Sequence, residues 1–337
     1  MPYYPYLKKL PANQRKRACE GLIRLKDGFA TNNFPQKKVD GNLLLATWNL
    51  REFGGTKYGG RDDEPLYYIA EIVSQLDLVA VQEIRDDLAD LNRLKQILGG
   101  WWKVLFTDVT SGARGNKERT GFLYDSRKIT FGGLAGEIVI PPVETNGGGP
   151  SEQLARTPMI VGFQAGWFKF TICTAHLYYG ASKADDPRRV QEIRDLAKFL
   201  AAEAKSKNAW AKNMIVLGDF NIFTTNDATF KALTDNGFTV PPGILQVTSN
   251  VAGGKHFDQI AFIAPGVQDQ FAHAASGVVK FTDFVYRDGD EAAYQTDLGT
   301  AKYKDWRTYK MSDHFPLWVE LETDFGHDYL VHLGQQP

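Results

Sequence analysis

The chain alternates apolar runs of strand length with amphipathic stretches of helix length. Leu43–Thr47, Leu78–Val81, Trp101–Phe106, Thr120–Tyr124, Ile138–Ile140 and Met159–Gln164 read as strands. So do Phe168–Thr174, Met214–Leu217, Phe257–Ile263, Val278–Phe281 and Pro316–Leu321. The pair of runs around Ala165–Gly166 predicts a hairpin. Pro65–Leu76 reads as a helix, with its proline suited to the first turn. Leu88–Leu98 reads as another, ended by Gly99 and Gly100. Pro187–Lys205 is the clearest helix, because Val190, Ile193, Leu196, Ala197 and Leu200 form one stripe. Before Gly41, Pro2, Pro5, Pro11 and Pro35 punctuate a segment in which Arg15–Lys26 suggests a short basic helix. Asn146–Pro150 reads as a flexible loop. Hairpins among alternating strands and helices predict mixed sheets rather than a purely parallel array. No linker divides residues 41–325. The expected organisation is an appendage at 1–40, one domain at 41–325 and a tail at 326–337.

The apolar runs end in polar residues. LLLATWNLR delivers Asn49, LVAVQEIRD delivers Glu83, TICTAHLYYG delivers His176, and MIVLGDFN delivers Asp219 and Asn221. HFDQIAFI carries Asp258 near its start, and KMSDHFPLWVEL carries Asp313 and His314. One polar strand end is usually a cap or a turn residue. So many together are hard to read that way. If they converge, they make a site of oxygen ligands, two histidines and two amides. Asp219 and Asn221 share a face if extended geometry continues through Phe220. Gly218 leaves room for backbone or ligand beside them.

Composition narrows the classes. Of 337 residues, 43% are hydrophobic and 23% charged, which suits a globular chain with a sizeable core. A net charge of −1 supplies no global field toward a polyanion, so any such binding needs a local patch. Cys19 and Cys173 make no disulfide framework. No apolar run is long enough for a membrane span. MPYYPYLKKLPANQRKRACEG lacks the apolar core of a signal peptide; a removed leader would imply secretion, and otherwise the cytoplasm.

Hard oxygen ligands point to magnesium, manganese or calcium, with Asn49 and Glu83 as the leading ligands. Zinc fits less well, since neither His-x-x-x-His nor Cys-x-x-Cys occurs. His176 and His314 suit general acid–base work near neutral pH. Asp258, and Glu118 in GNKERTGFLYD, are candidate carboxylates to orient them. There is neither a Gly-x-Ser-x-Gly elbow nor a P-loop. Water is then the nucleophile, and the chemistry is metal-assisted hydrolysis.

WNLREFG, VAVQEIRD, GNKERTGFLYD, TAHL, GDFN, HFDQIAF and SDHFPLWVEL, in this order, resemble the endonuclease/exonuclease/phosphatase superfamily. NLREFGGTK and the pair Glu118 and His176 resemble its deoxyribonuclease I branch; exonuclease III-like members have other residues where His176 stands. The likeness spans about Leu43 to Glu322. It implies an α/β four-layer sandwich of two packed mixed β-sheets flanked by helices. It implies that Asn49, Glu83 and Asp313 hold a divalent ion, magnesium or manganese, and that His176–Glu118 and His314–Asp258 serve as acid and base. Asp219 and Asn221 would orient water and contact the scissile phosphate. Arg51, Arg85 and Arg156 match arginines of the family's DNA-binding face, and the ARGNKER stretch, Ala113–Arg119, adds local positive charge. The family's disulfide has no counterpart near GDFN, its calcium loops do not match, and residues 1–40 resemble nothing in it.

The leading expectation is a monomeric metal-dependent endonuclease on nucleic acid, DNA first, with little sequence preference and no membrane partner. A superfamily phosphoesterase on a small ester, such as an inositol phosphate or sphingomyelin, is the alternative. A non-catalytic binding protein on this fold is a third reading, disfavoured by the intact metal, acid and base set.

Overall fold

Period-two alternation in the first strand sorts its side chains onto two faces. Leu43 and Leu45 enter one apolar cluster; Leu44, Ala46, Trp48 and Leu50 enter another. A computed structural model describes residues 1–32, 34–56, 59–111, 115–141, 153–265 and 268–335. In it, β1 (Asn42–Phe53), β2 (Leu78–Ile84), β3 (Trp102–Phe106) and β4 (Arg119–Asp125) belong to one sheet. β5 (Ile129–Glu137), β6 (Met159–Ala165), β7 (Phe168–His176), β8 (Asn213–Asp219) and β9 (Asp258–Ile263) form the other. β10 (Ser276–Val278) and β11 (Leu317–Glu322) complete the first, in the order β10-β11-β1-β2-β4-β3. The second runs β5-β6-β7-β8-β9.

Each sheet has one parallel pair at its centre, β1 with β2 and β7 with β8, flanked by antiparallel neighbours. That topology places the site. Where a parallel pair ends, its antiparallel neighbours begin. The two sheets pack face to face, with Leu43, Leu45, Leu78, Ala80, Phe122, Phe163, Ile172 and Leu217 between them. Toward the site this filling turns polar: Gln82 Nε2 donates to Thr47 Oγ1 at 3.1 Å and to Thr174 Oγ1 at 2.9 Å, joining the sheets. A buried amide so satisfied tolerates the dry interior.

Helices cover the outer faces. α1 (Ala12–Thr31), α2 (Asp63–Ser74) and α3 (Ala89–Leu98) lie over the first sheet. α4 (Pro187–Lys205) and α5 (Ala228–Thr234) lie over the second. α4 begins where expected: Asp186 accepts from the N–H groups of Arg188 and Arg189, and Pro187 sits in the first turn. Short α6 (Pro242–Leu245) and α7 (Gln268–His273) follow, then α8 (Tyr303–Lys310) and α9 (Gly326–Gly334).

The expected sandwich is the one observed, and particular elements differ. The predicted strand Ile138–Ile140 is coil; β5 ends just before it, at Glu137. β5 is a solvent-exposed edge with Gly132 and Gly133, so no hydrophobic alternation marks it. The Val278–Phe281 strand stops at Val278, and Phe281–Asp283 is a 3-10 turn. Asn146–Pro150 lies outside the described residues. The short helix expected at Arg15–Lys26 is a 20-residue helix. Its Ala18, Leu22 and Leu25 join the cluster of β1 and α2, and Gly21 rests against the Tyr68 ring. α9 has no buried residue.

Candidate active site

Three neighbouring strands of the second sheet put their polar residues in one register row. His176 on β7 stands opposite Asp219 on β8, which stands opposite Asp258 on β9. Gly218 permits the tight pairing here: at φ +134° a Cβ would come within 2.0 Å of the Ala175 carbonyl. The first sheet supplies Asn49 and Glu83 from the ends of β1 and β2. Glu118 and His314 arrive just before β4 and β11. Asn49, Glu118, His176, Asp219, Asn221, Asp258 and His314 are all buried.

Two histidine–carboxylate pairs face one oxygen. His176 Nδ1 lies 2.7 Å from Glu118 Oε2, and His314 Nδ1 lies 2.7 Å from Asp258 Oδ2. Their Nε2 atoms lie 3.5 and 3.8 Å from the same atom, Asp219 Oδ2. A carboxylate on Nδ1 fixes the ring and the tautomer, leaving Nε2 for proton transfer. The surroundings of the pairs differ. Arg156 reaches Glu118 from Nε at 3.0 Å and Nη2 at 3.2 Å, and Asn116 Nδ2 donates to it at 2.5 Å. Burial works against the Glu118 charge, yet His176, Arg156 and Asn116 hold its carboxyl down at about 2. Burial and Arg156 oppose a charge on His176; Glu118 and Asp219 outweigh them and raise it above the ordinary imidazole value. Burial also opposes charge on His314, but the carboxylates of Asp258 and Asp219 carry it well above that range.

Beside the histidines, Asn49 Nδ2 donates to Glu83 Oε1 at 2.9 Å and Asp219 Oδ2 at 3.0 Å. The backbone just after it bulges, with Arg51 and Glu52 at φ +32° and +54°. The bulge turns two N–H groups onto the site: Arg51 to Asn49 Oδ1 and Glu52 to Glu83 Oε2. Buried Arg61 clamps it, donating to the carbonyls of Leu50, Arg51, Glu52, Lys310 and Met311. Ser312 Oγ donates to the Asn49 carbonyl and accepts from the His314 N–H, and Trp48 Nε1 donates to the His314 carbonyl.

The expected residues are brought together, with changes of part. β8 ends at Asp219, so extended geometry does not continue to Asn221, which sits at φ +53°. Its N–H donates to Asp219 Oδ1, and its side chain donates to the Leu177 carbonyl. The three arginines are committed inside the protein. Arg85 forms a fork on Glu52, with bonds of 2.8 and 2.6 Å. Arg51 pairs with Asp313 at 3.4 Å and donates to Thr308. Arg156 holds Glu118. Ala113 and Arg114 of the ARGNKER stretch lie outside the described residues. Sequence reasoning missed Arg61, Glu52, Asn116 and Ser312; Glu52, Asn116 and Ser312 stood inside quoted motifs, and Arg61 stood in none.

The sequence profile of the Endonuclease/Exonuclease/phosphatase family matches residues 46–314. The chain belongs to that family. It is similar to deoxyribonuclease-1 of Oryctolagus cuniculus, 23% identical over 297 residues, covering 84% of this chain and 94% of that protein. Among solved structures it is similar to a Bacteroides thetaiotaomicron mannosyl-6-phosphatase, with a TM-score of 0.55, 19% identity, and 83% and 99% of the two chains covered. D. rerio TDP2 complexed with a single-strand DNA product gives a TM-score of 0.54 at 14% identity, covering 83% and 99%. A member of this family is a hydrolase of phosphoesters, and the family depends on a divalent metal.

The residues fit such an ion. Burial pushes the Glu83 carboxyl up, and Glu118 and Asp313 add to the push against His176 and Asn49. Among the described residues Glu83 has no ion-pair partner, so a hard cation would relieve its charge. Asn49 Nδ2 bridges the carboxylates of Glu83 and Asp219; turned over, that amide would present its oxygen, with theirs, to an ion. Asp219, Asp258 and His314 form a second buried group with ligand atoms within 4.8 Å of one another.

Proposed function

We propose that the protein is a divalent-metal-dependent nuclease that hydrolyses the phosphodiester backbone of nucleic acid, DNA first, with little sequence preference. The observation that carries this reading is the convergence of His176 and His314 on one oxygen, each held from behind by a buried carboxylate. A backbone diester has a poor alkoxide leaving group, so its hydrolysis gains from a base for water and an acid for the leaving oxygen. Arg156 opposes protonation of His176, which suits it as the base. His314 has Asp258, Asp219 and Asp313 favouring its proton and only burial set against them, which suits it as the acid. Asp219 sits between them, with Asn221 N–H fixing its other oxygen. A divalent ion held by Glu83 and Asn49 would neutralise charge building on the phosphate oxygens. The likeness to deoxyribonuclease-1 supports the choice of substrate.

A second reading rests on a different observation. The three arginines expected to meet a polyanion are paired with Asp313, Glu52 and Glu118. That arrangement, with a net charge of −1, suits a small phosphoester as well as a strand. Purified protein incubated with supercoiled plasmid, in magnesium and in EDTA, decides between them when inositol phosphates and sphingomyelin are run in the same buffer. Nicking that needs magnesium is the expected result. Turnover of a small ester with plasmid intact would transfer the assignment to the second reading.

A further inference from the structure

The flank of His314 is aromatic. Phe257 packs beside the His314 ring, centroids 5.6 Å apart and planes 31° apart. Phe223 meets Phe257 at 5.5 Å, and Tyr179 meets both at 6.3 Å. The row starts at the proton-transfer ring and ends at Tyr179, which is 41% exposed. It is held rigid from beneath. The guanidinium of fully buried Arg189 lies 5.0 Å from the Phe223 ring and 5.7 Å from the Tyr179 ring, and donates to the Asn221 carbonyl at 2.6 Å. Lys255 Nζ lies 3.9 Å from the Phe223 ring. Among the described residues Lys255 forms no ion pair. Phe223 is buried and Phe257 partly so, and Tyr179 is the exposed end of the row.

The opposite flank differs. A cavity of about 330 Å³ there is lined by Glu52, Asp86 and Asp87 together with Arg85 and Lys117. The three carboxylates outnumber the two cations there, so a strand crossing the site is better received on the aromatic side, where Lys255 offers a cation.

We propose that Tyr179, backed by Phe223 and Phe257, forms a stacking shelf for a nucleobase near the scissile phosphate, making single-stranded or locally unpaired nucleic acid the preferred substrate. This rests on the nuclease reading and names its substrate class. Stacking accepts any base, because every base has a π-face. In a duplex, the base must first leave its stack, at a cost the single strand avoids.

The test is binding in EDTA, where cleavage is silenced, measured by fluorescence anisotropy. The probes are labelled oligothymidylate and an abasic strand of equal length and charge. Wild type should prefer the strand with bases, and Tyr179→Ala should lose affinity for it by about five- to a hundredfold, the worth of stacking one base. Tyr179→Phe keeps the ring and should keep the preference. Neither variant should change affinity for the abasic strand. Equal binding of both probes by wild type, or equal loss on both in Tyr179→Ala, overturns the shelf. A protein that cleaves plasmid in magnesium yet ignores bases here loses the shelf and keeps the nuclease assignment. One that cleaves no nucleic acid loses that assignment, and this subsite with it.

Discussion

His176 and His314 each hold a carboxylate at 2.7 Å and turn Nε2 toward Asp219, yet different charges surround them. Behind His176, Arg156 and Asn116 share Glu118, so part of that carboxylate's field is spent on them. Behind His314, among the described residues, no arginine pairs with Asp258; the neutral Ser249 hydroxyl is the group beside that carboxylate. The same two-residue unit therefore becomes a better base in one place and a better acid in the other. Environment, more than residue type, sets the direction of proton flow.

The largest effect expected is loss of either ring. His176→Ala and His314→Ala should each lower the rate of backbone cleavage by about 10² to 10⁴, the usual worth of a general acid or base. Circular dichroism should show the fold intact. A rate within a few-fold of wild type would remove that ring from the mechanism.

Next comes the metal pocket. Glu83→Gln removes charge from a place where burial already disfavours it. The magnesium concentration for half-maximal cleavage should rise about tenfold or more. In EDTA the variant should melt no lower than wild type, and magnesium should add less to its melting temperature than to that of wild type. A melting temperature that falls in EDTA, with an unchanged magnesium titration, would make Glu83 structural.

Smaller shifts should appear in the pH profile. Rate should rise as His176 loses its proton and fall as His314 loses its own. Arg156→Gln removes a cation that opposes protonation of His176, so the rising limb should move to higher pH while the falling limb stays. Asp258→Asn removes a carboxylate that favours the His314 proton, so the falling limb should move to lower pH. Stability follows the same sign. The raised His314 contributes fully below the unfolded imidazole value of about 6.5, and that contribution fades as pH climbs through the folded value. Limbs that move together in both variants would show that the pairs do not titrate as separate roles.

Much of this site was readable from strand ends. Asn49, Glu83, His176 and Asp219 close apolar runs, and a parallel pair in each sheet brings such ends to one edge. What was unreadable depends on contacts remote in sequence or on conformations propensity does not mark. Arg61 reaches five carbonyls near Leu50 and Met311 from a loop with no pattern. Arg85 looked free for phosphate until the bulge at Arg51–Glu52 turned Glu52 onto it. Asn221 looked like a strand residue, and a left-handed turn made it a brace for Asp219. β5 escaped notice because an exposed edge has no second face to bury.

The roles assigned to the two rings are tested most directly by changing the leaving group. Each alanine variant should be assayed on two diesters, one with an ordinary alkoxide leaving group and one with nitrophenolate, which departs without a proton. The account predicts that nitrophenolate restores most of the rate lost in His314→Ala and little of that lost in His176→Ala. Equal losses on both esters, or restoration in His176→Ala instead, would contradict it.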